Sequence, residues 1–461
     1  MRRIEYYVKS GKSRVSQVCC LLAALLFFQQ TCLAQLKRED IYTDFVLYQK
    51  RTLLEKDLRD RVTGAVFSAP LDSNTEYKYE LACQAVTQFL LVSPLTARGF
   101  DKLFSQYDSL QYDTKRAFLE AVYAAYPEKY RASMQTVLAR ETDPKLFAIC
   151  ALYLYRTDTT MENVNFLKIR MVERFPGYDS LVVLDELTKY LGDHTASTRR
   201  KTPDIPKLFG YRQNSGQKTV YSFQRWDRDY PGLAIVQNAD GSFAKDAEGR
   251  LQVFEQLARS GSDLPCFISN GSTPQGIFRI TGIGVSRNHF IGPTPNLQLI
   301  MPFEESWDHY FRPASVPPNS MPPAGHPGED DSDFHFSGDT LLAYQSLLPP
   351  SWRTYTPMME AWFAGKAGRT GIIAHGTTLD PEFFRDRPFY PLTPTEGCLC
   401  AEERWNPTTG HLLVSEQLNL VNAFNSTPGD TGYLFVIDVD DQRKPVSRAE
   451  VEGWVKKYEQ R

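Results

Sequence analysis

A histidine and a cysteine in the C-terminal half stand where catalytic side chains are commonly held. His375 follows the short apolar run Ile372–Ala374, which predicts that its imidazole lies at the mouth of a buried strand. Cys398 follows Gly397, and glycine permits a tight turn that exposes the sulfur and directs backbone N–H groups at a developing oxyanion. Their separation of 23 positions allows the chain to leave one strand and return beside it.

Such a pair suits acyl transfer through sulfur. A thiol with an ordinary pKa of about 8.5 is mostly protonated at neutral pH, and a neighbouring imidazole can take the proton to leave a reactive thiolate. An acyl-enzyme then forms at sulfur, and the imidazole returns the proton to the leaving amine. Spacing alone leaves open a second interpretation, in which a core cysteine and a hydrogen-bonded histidine never meet.

Three segments resemble the catalytic domain of the L,D-transpeptidases of the YkuD type. Residues Thr273–Phe278 are similar to the family's Thr-Pro-x-Gly-x-Phe segment, and Ile373–Thr377 to its Ile-His-Gly-Thr strand end, with one residue interposed. Residues Thr395–Cys398 are similar to its Ser/Thr-x-Gly-Cys motif. The resemblance covers roughly residues 221–440 and leaves the N-terminal half outside.

The resemblance implies a β-rich domain that cross-links peptidoglycan without a metal or organic cofactor. Cys398 would attack the L-to-D peptide bond of a stem tetrapeptide, release the terminal D-alanine and pass the acyl group to an amine of a neighbouring stem, with His375 as general acid and base. Gly397 and the Cys398 N–H are the oxyanion candidates. The substrate-binding candidates are Gly376, Thr377, Thr395, Glu396 and Arg404.

The motif departs from the family pattern at two places. The family often has histidine before its Gly-Cys pair, where this chain has Glu396, whose carboxylate could orient the imidazole or repel an anionic substrate. The family usually continues with Ile-Arg, where this chain has Leu399 and Cys400, and Arg404 is a candidate to replace that arginine. On an extended backbone Cys400 faces the same way as Cys398, either as a resolving thiol or as a small packed residue.

Three nearby side chains carry no decided role. Glu402, Glu403 and Trp405 could line the cleft. A solvated acidic pair and a packed ring are equally consistent with the sequence.

The N-terminal half predicts helices. Apolar residues recur at helical spacing over residues 40–191, and Asp143 before Pro144 is a good helix start. Stacked helix pairs of the HEAT type and an irregular bundle are both open. Cys83 and Cys150 are predicted core residues, and the region is a candidate docking surface for a protein partner or a cell-wall polymer.

A β-rich domain is predicted over residues 218–461, after a polar linker at 192–217. Short strands are expected at 233–237, 252–257, 265–269, 273–280, 297–301 and 433–438. The fold class is therefore multi-domain, α then β: an all-α domain followed by a β-rich L,D-transpeptidase-like sandwich or barrel with a few helices.

Residues 313–338 are predicted to form a Pro/Gly/acidic loop, which is either solvated or a lid. The histidines and aspartates of this loop match no metal-ligand pattern; they are His326, Asp330, Asp331, Asp333 and His335.

Residues 1–34 are typical of a secretory signal, with a basic start and the short apolar run Val18–Phe28; a retained anchor is the alternative. Export to the periplasm or cell envelope of a bacterium is therefore expected. Removal of the signal leaves an odd number of cysteines, five, so at least one free thiol is expected. A net charge of −3 gives no electrostatic reason to expect nucleic acid.

The sequence thus predicts an exported cysteine L,D-transpeptidase acting on peptidoglycan stem peptides. An L,D-carboxypeptidase or endopeptidase with the same site is one alternative, because water could outcompete the acceptor amine. A non-catalytic wall-binding scaffold is the other.

Overall fold

A computed structural model describes residues 37–193, 201–213, 215–313 and 336–461 of the chain. Residues Arg38–Arg461 form one compact unit. The predicted signal segment, most of the predicted loop at 313–338 with its histidines and aspartates, and residues 194–200 of the predicted linker lie outside the described residues.

Helices come first and strands second, which confirms the α-then-β order. The helices of the first part are α1 (Tyr48–Asp57), α2 (Val66–Ser68), α3 (Glu76–Phe89), α4 (Pro94–Ser105), α5 (Tyr112–Ala125), α6 (Arg131–Leu138), α7 (Pro144–Thr157), α8 (Met161–Arg174) and α9 (Val182–Asp193). A π-helical segment, Leu58–Ala65, joins α1 to α2.

Local sequence sets the helix starts. The Asp143 carboxylate accepts hydrogen bonds from the N–H groups of Lys145 and Leu146, and Pro144 occupies the first turn of α7. Proline loses nothing there, because the first N–H groups of a helix have no intrahelical partner. Cys83 and Cys150 are fully buried, which confirms them as core residues.

A closed barrel forms the second part. Its strands are β1 (Lys218–Gln224), β2 (Gly232–Gln237), β3 (Phe254–Leu257), β4 (Gly276–Gly284), β5 (Asn296–Ile300), β6 (Ala374–His375), β7 (Leu399–Ala401) and β10 (Gly432–Asp438), in the order β1-β10-β4-β5-β6-β7-β3-β2. Strands β8 (Glu403–Trp405) and β9 (Leu412–Ser415) pair separately. The intervening and following helices are α10 (Ile205–Gln213), α11 (Trp307–Phe311), α12 (Thr340–Ser346), α13 (Pro350–Arg353), α14 (Glu360–Lys366), α15 (Glu416–Asn425) and α16 (Arg448–Glu459).

Alternation along the strands separates two cores. Every barrel strand contributes to one apolar cluster, which includes Val220, Phe278, Ala374, Leu399 and Val436 and fills the interior. Their strand neighbours, such as Tyr221 and Phe435, face outward and pack against α10 and α16. Successive side chains on a strand point to opposite faces of the sheet. The strand neighbours of a residue that faces the barrel interior therefore face outward.

The helical part and the barrel share a third core. The cluster that contains residues of α3 to α9 also contains Leu257, Leu264 and Phe267 from the barrel half, together with Leu379, Phe384, Phe389 and Leu392. Apolar area buried across this junction contributes roughly 25 cal/mol per Å². The helices therefore cover the outward face of the barrel beside β3 and β7.

Two segments differ from the sequence expectations. Residues 265–269, predicted as a strand, form successive turns, in which the Ile268 N–H donates to the Pro265 carbonyl at 3.0 Å and the Gly271 N–H to the Ile268 carbonyl at 2.9 Å. The predicted linker contains helix α10, because Phe209 packs on Tyr221 of the barrel. Within the described ranges, no helix combines the length and apolar character needed to cross a membrane.

Candidate active site

Strand β6 brings His375 beside the segment that follows Cys398. It runs parallel to β7, with Ala374 opposite Leu399 and His375 opposite Cys400. Ala374 and Leu399 belong to the interior cluster. His375 and Cys400 therefore share the outward face, because residues opposite one another in a sheet point to the same side.

Cys398 is presented by a tight turn. The Thr395 hydroxyl accepts a hydrogen bond from the Gly397 N–H at 3.0 Å and donates one to the Cys398 carbonyl at 2.8 Å. Since the Gly397 N–H is engaged in this way, the Cys398 N–H is the remaining oxyanion candidate of the two. Glu396 is exposed at the tip of the turn.

Gly397 is required by the space around it. Its φ is +115°, and a Cβ there would lie 2.1 Å from Nη2 of Arg369 and 2.5 Å from the Gly271 carbonyl oxygen. The Thr273 hydroxyl donates to the Gly397 carbonyl at 2.9 Å. Two of the segments that carry the family resemblance, at Thr273 and at Gly397, are thus joined directly.

The thiol of Cys398 is half-buried and lies against strand backbone. The Ile373 N–H donates to its sulfur at 3.4 Å, and the thiol donates to the Gly371 carbonyl at 3.6 Å. Burial raises the pKa of Cys398 to about 11, while the Ile373 N–H and the charge of Arg369 oppose the rise. The resting sulfur is therefore protonated at neutral pH.

His375 is buried and neutral. Burial lowers its pKa to about 4, against the effect of its contact with the Gly376 carbonyl. Among the described residues, the Cys398 thiol forms hydrogen bonds with the backbone of Ile373 and Gly371, and the imidazole is not a partner. Cys398 directly precedes β7, and His375 pairs with Cys400, two residues after Cys398.

With these two pKa values, the resting pair is a neutral thiol and a neutral imidazole. A neutral imidazole is nevertheless the form that can accept a proton. The proton would leave sulfur during attack on a substrate, and catalytic hydrogen bonds commonly tighten only when substrate is bound.

Glu403 and Trp405 hold the strand end that carries the histidine. The Glu403 carboxylate accepts hydrogen bonds from the Thr377 N–H at 2.9 Å and the Ser415 hydroxyl at 2.7 Å, and the Trp405 indole donates to the Thr377 carbonyl at 2.8 Å. A Cβ at Gly376 would lie 2.2 Å from the Glu403 carboxyl carbon. Gly376 and Thr377 are therefore fixed by β8, and burial raises the pKa of Glu403 to about 7.

Arg404 points away from this arrangement. Its side chain is 64% exposed, and its guanidinium lies 3.4 Å from the Glu402 carboxylate. Glu402 immediately precedes β8, and alternation along β8 turns Arg404 to the side opposite Glu403.

Cys400 is packed. Its side chain is buried, and its sulfur lies 3.6 Å from the Thr393 hydroxyl. Burial raises its pKa to about 12. This environment favours the interpretation of Cys400 as a small core residue.

Arg369 is a residue that sequence reasoning missed. It is 5% exposed, and its guanidinium donates to the carbonyls of Gly271 at 2.7 Å and Ser272 at 2.8 Å and to that of Cys266. The signal available in the sequence was an arginine between glycines 368 and 371, just before the histidine strand. Residue type alone does not distinguish such an arginine from a solvated one.

The helical part forms one side of the site. Glu120 of α5 is buried, accepts a hydrogen bond from the Asn270 amide at 3.1 Å, and is paired with Arg116 at 3.2 Å. Burial raises its pKa to about 7, and the charge of Glu396 contributes to the rise. Helix α5 therefore contacts the loop that supports the cysteine turn.

The arrangement can supply a sulfur nucleophile, a neutral imidazole on the strand that pairs with β7, and a backbone donor at the nucleophile. Comparison of the chain with protein-family models, with curated proteins and with solved structures gives no significant match.

Proposed function

We propose that this chain is an exported cysteine acyltransferase of the L,D-transpeptidase type that acts on peptidoglycan stem peptides. The observation that carries the proposal is the meeting of separate segments at one place. The hydroxyl of Thr273 binds the Gly397 carbonyl, and the His375 strand pairs with the strand that follows Cys398. His375 is buried and pairs with Cys400, two residues after Cys398.

In this proposal Cys398 attacks the carbonyl carbon of the L-to-D peptide bond while His375 takes the thiol proton. The Cys398 N–H donates to the oxyanion. The C–N bond then breaks, the imidazolium gives its proton to the departing D-alanine amine, and a thioester remains on sulfur. An acceptor amine attacks that thioester and passes a proton to His375, and the C–S bond breaks as sulfur regains its proton.

The finer features of the fold belong to the same proposal. The barrel is inferred to be the transpeptidase domain, with α5 of the helical part beside the loop that supports the cysteine turn. The helical part remains a candidate docking surface for a protein partner or for the wall polymer, as helix pairs or as an irregular bundle. Location in the periplasm or envelope follows from the signal-like residues 1–34.

The test uses the chain without the predicted signal, as wild type, Cys398→Ala and Cys400→Ala, with purified disaccharide-tetrapeptides and mass spectrometry. Cross-linked dimers from wild type and from Cys400→Ala, but not from Cys398→Ala, are expected. The Cys400 variant is the matched control, since it removes a thiol two residues away on the same segment.

Other outcomes separate the alternatives. Tripeptide without dimers would identify a hydrolase that uses the same nucleophile. Unchanged substrate with folded protein would refute the tetrapeptide-donor proposal and favour the wall-binding scaffold.

A further inference from the structure

Arg369 is fixed by the end of helix α14. Its N–H donates to the Ala364 carbonyl at 3.0 Å, and the preceding residue, Gly368, has a φ of +89°. Glycine in a left-handed conformation commonly ends a helix in this way. The side chain is thereby directed into the protein, where 5% of the residue is exposed.

Its guanidinium holds the loop that supports the cysteine turn. The acceptors are the carbonyls of Cys266, Gly271 and Ser272. The next residue, Thr273, donates to the Gly397 carbonyl. The planar fork of arginine offers five N–H donors, so one side chain can fix several carbonyls at once.

The charge of Arg369 has no carboxylate ion-pair partner in the described part of the chain. Burial lowers its pKa to about 10, and the groups whose charge opposes this are the thiols of Cys266 and Cys398. A buried cation without a counter-ion is costly. Negative charge on a neighbouring sulfur would relieve that cost.

We propose that Arg369 is a positioning residue that provides the countercharge for the Cys398 thiolate and fixes the Gly397 turn. The inference rests on the proposed role of Cys398 as nucleophile. Its basis is geometric: Nη2 of Arg369 lies 2.1 Å from the position that a Cβ on Gly397, the residue before Cys398, would occupy.

Other charges also act on Cys398. Glu396 and Glu304 raise the thiol pKa, and the Ile373 N–H and Arg369 lower it. His375 is neutral near pH 7 because burial lowers its pKa to about 4. Arg369 is therefore the cation that counters two carboxylates at this sulfur.

The experiment measures the pH dependence of Cys398 alkylation by iodoacetamide in the full chain without the predicted signal, read by mass spectrometry of the Cys398 peptide. The variants are Arg369→Gln and Arg369→Lys. Arg212→Gln is the matched control, because Arg212 is also a buried arginine with a pKa lowered by burial, but it stacks on Tyr433 and Phe435.

A nearby opposite charge typically shifts a pKa by about 1–3 units. Arg369→Gln should therefore raise the thiol pKa by at least about 1 unit, which slows alkylation about tenfold at a pH below both values. Arg369→Lys should keep the pKa of the Cys398 thiol within about half a unit of the wild-type value, because the positive charge remains. Arg212→Gln should leave it unchanged.

An unchanged pKa in Arg369→Gln would overturn the proposal. If that variant does not fold, Arg369→Lys decides the question, and a rise of about 1 unit or more there would refute a role for the charge. The readout is thiol acidity and needs no stem peptide. A failed transpeptidase assay with the expected acidities would thus reject the proposed function while leaving this inference in place.

Discussion

Replacement of Gly397 by alanine tests the packing of the cysteine turn. Alanine at this position meets two obstacles, a φ of +115° and a Cβ position 2.1 Å from Nη2 of Arg369 and 2.5 Å from the Gly271 carbonyl oxygen. The guanidinium cannot move freely, because it donates to three backbone carbonyls.

The two costs can be worked out separately. A left-handed backbone conformation costs a residue with a Cβ about 1–2 kcal/mol, and overpacking a filled site costs about 1–3 kcal/mol. We therefore expect Gly397→Ala to lower the free energy of unfolding by about 2–5 kcal/mol.

Gly429→Ala is the matched control. Gly429 has a φ of +95°, but nothing lies within 4 Å of its Cβ position. This variant should lose only the backbone cost of about 1–2 kcal/mol. Denaturant unfolding followed by circular dichroism measures both variants by linear extrapolation. Equal losses in the two variants, or wild-type stability in Gly397→Ala, would refute the packing argument at Gly397.

Two further predictions concern protons. Alkylation of wild-type Cys398 should accelerate about tenfold per pH unit from pH 6 to 10, because burial raises the thiol pKa to about 11; a plateau beginning near pH 5 would instead indicate a resting thiolate–imidazolium pair. Burial raises the pKa of the Glu403 carboxyl from 4.5 to about 7. Between pH 4.5 and pH 7 the folded protein therefore binds more protons at this carboxyl than the unfolded chain does. The stabilisation that results is fully present below pH 4.5 and is lost as the pH rises through 7. Glu403→Gln removes this titration, so its free energy of unfolding relative to wild type should rise by up to about 3 kcal/mol between pH 4.5 and 8; parallel pH curves from denaturant unfolding would contradict this.

Local features of the sequence predicted the elements well where the signal is short-range. Asp143 with Pro144 identified the start of α7, because capping depends on neighbouring residues. Short apolar runs identified β2 and β10. The apolar run at 265–269 was misinterpreted, because its side chains enter the shared core from a series of turns rather than from a strand.

By itself, the sequence determined the order of helices before strands and selected His375 and Cys398 as the residues to examine. Only the tertiary structure decided that β6 lies parallel to β7 and that the end of α14 delivers Arg369 to Gly397. It also made Glu403 a buried support rather than a solvated acid. Strand pairing joins residues that are distant in sequence, and a pKa depends on burial and neighbouring charge. Neither is encoded by local propensity.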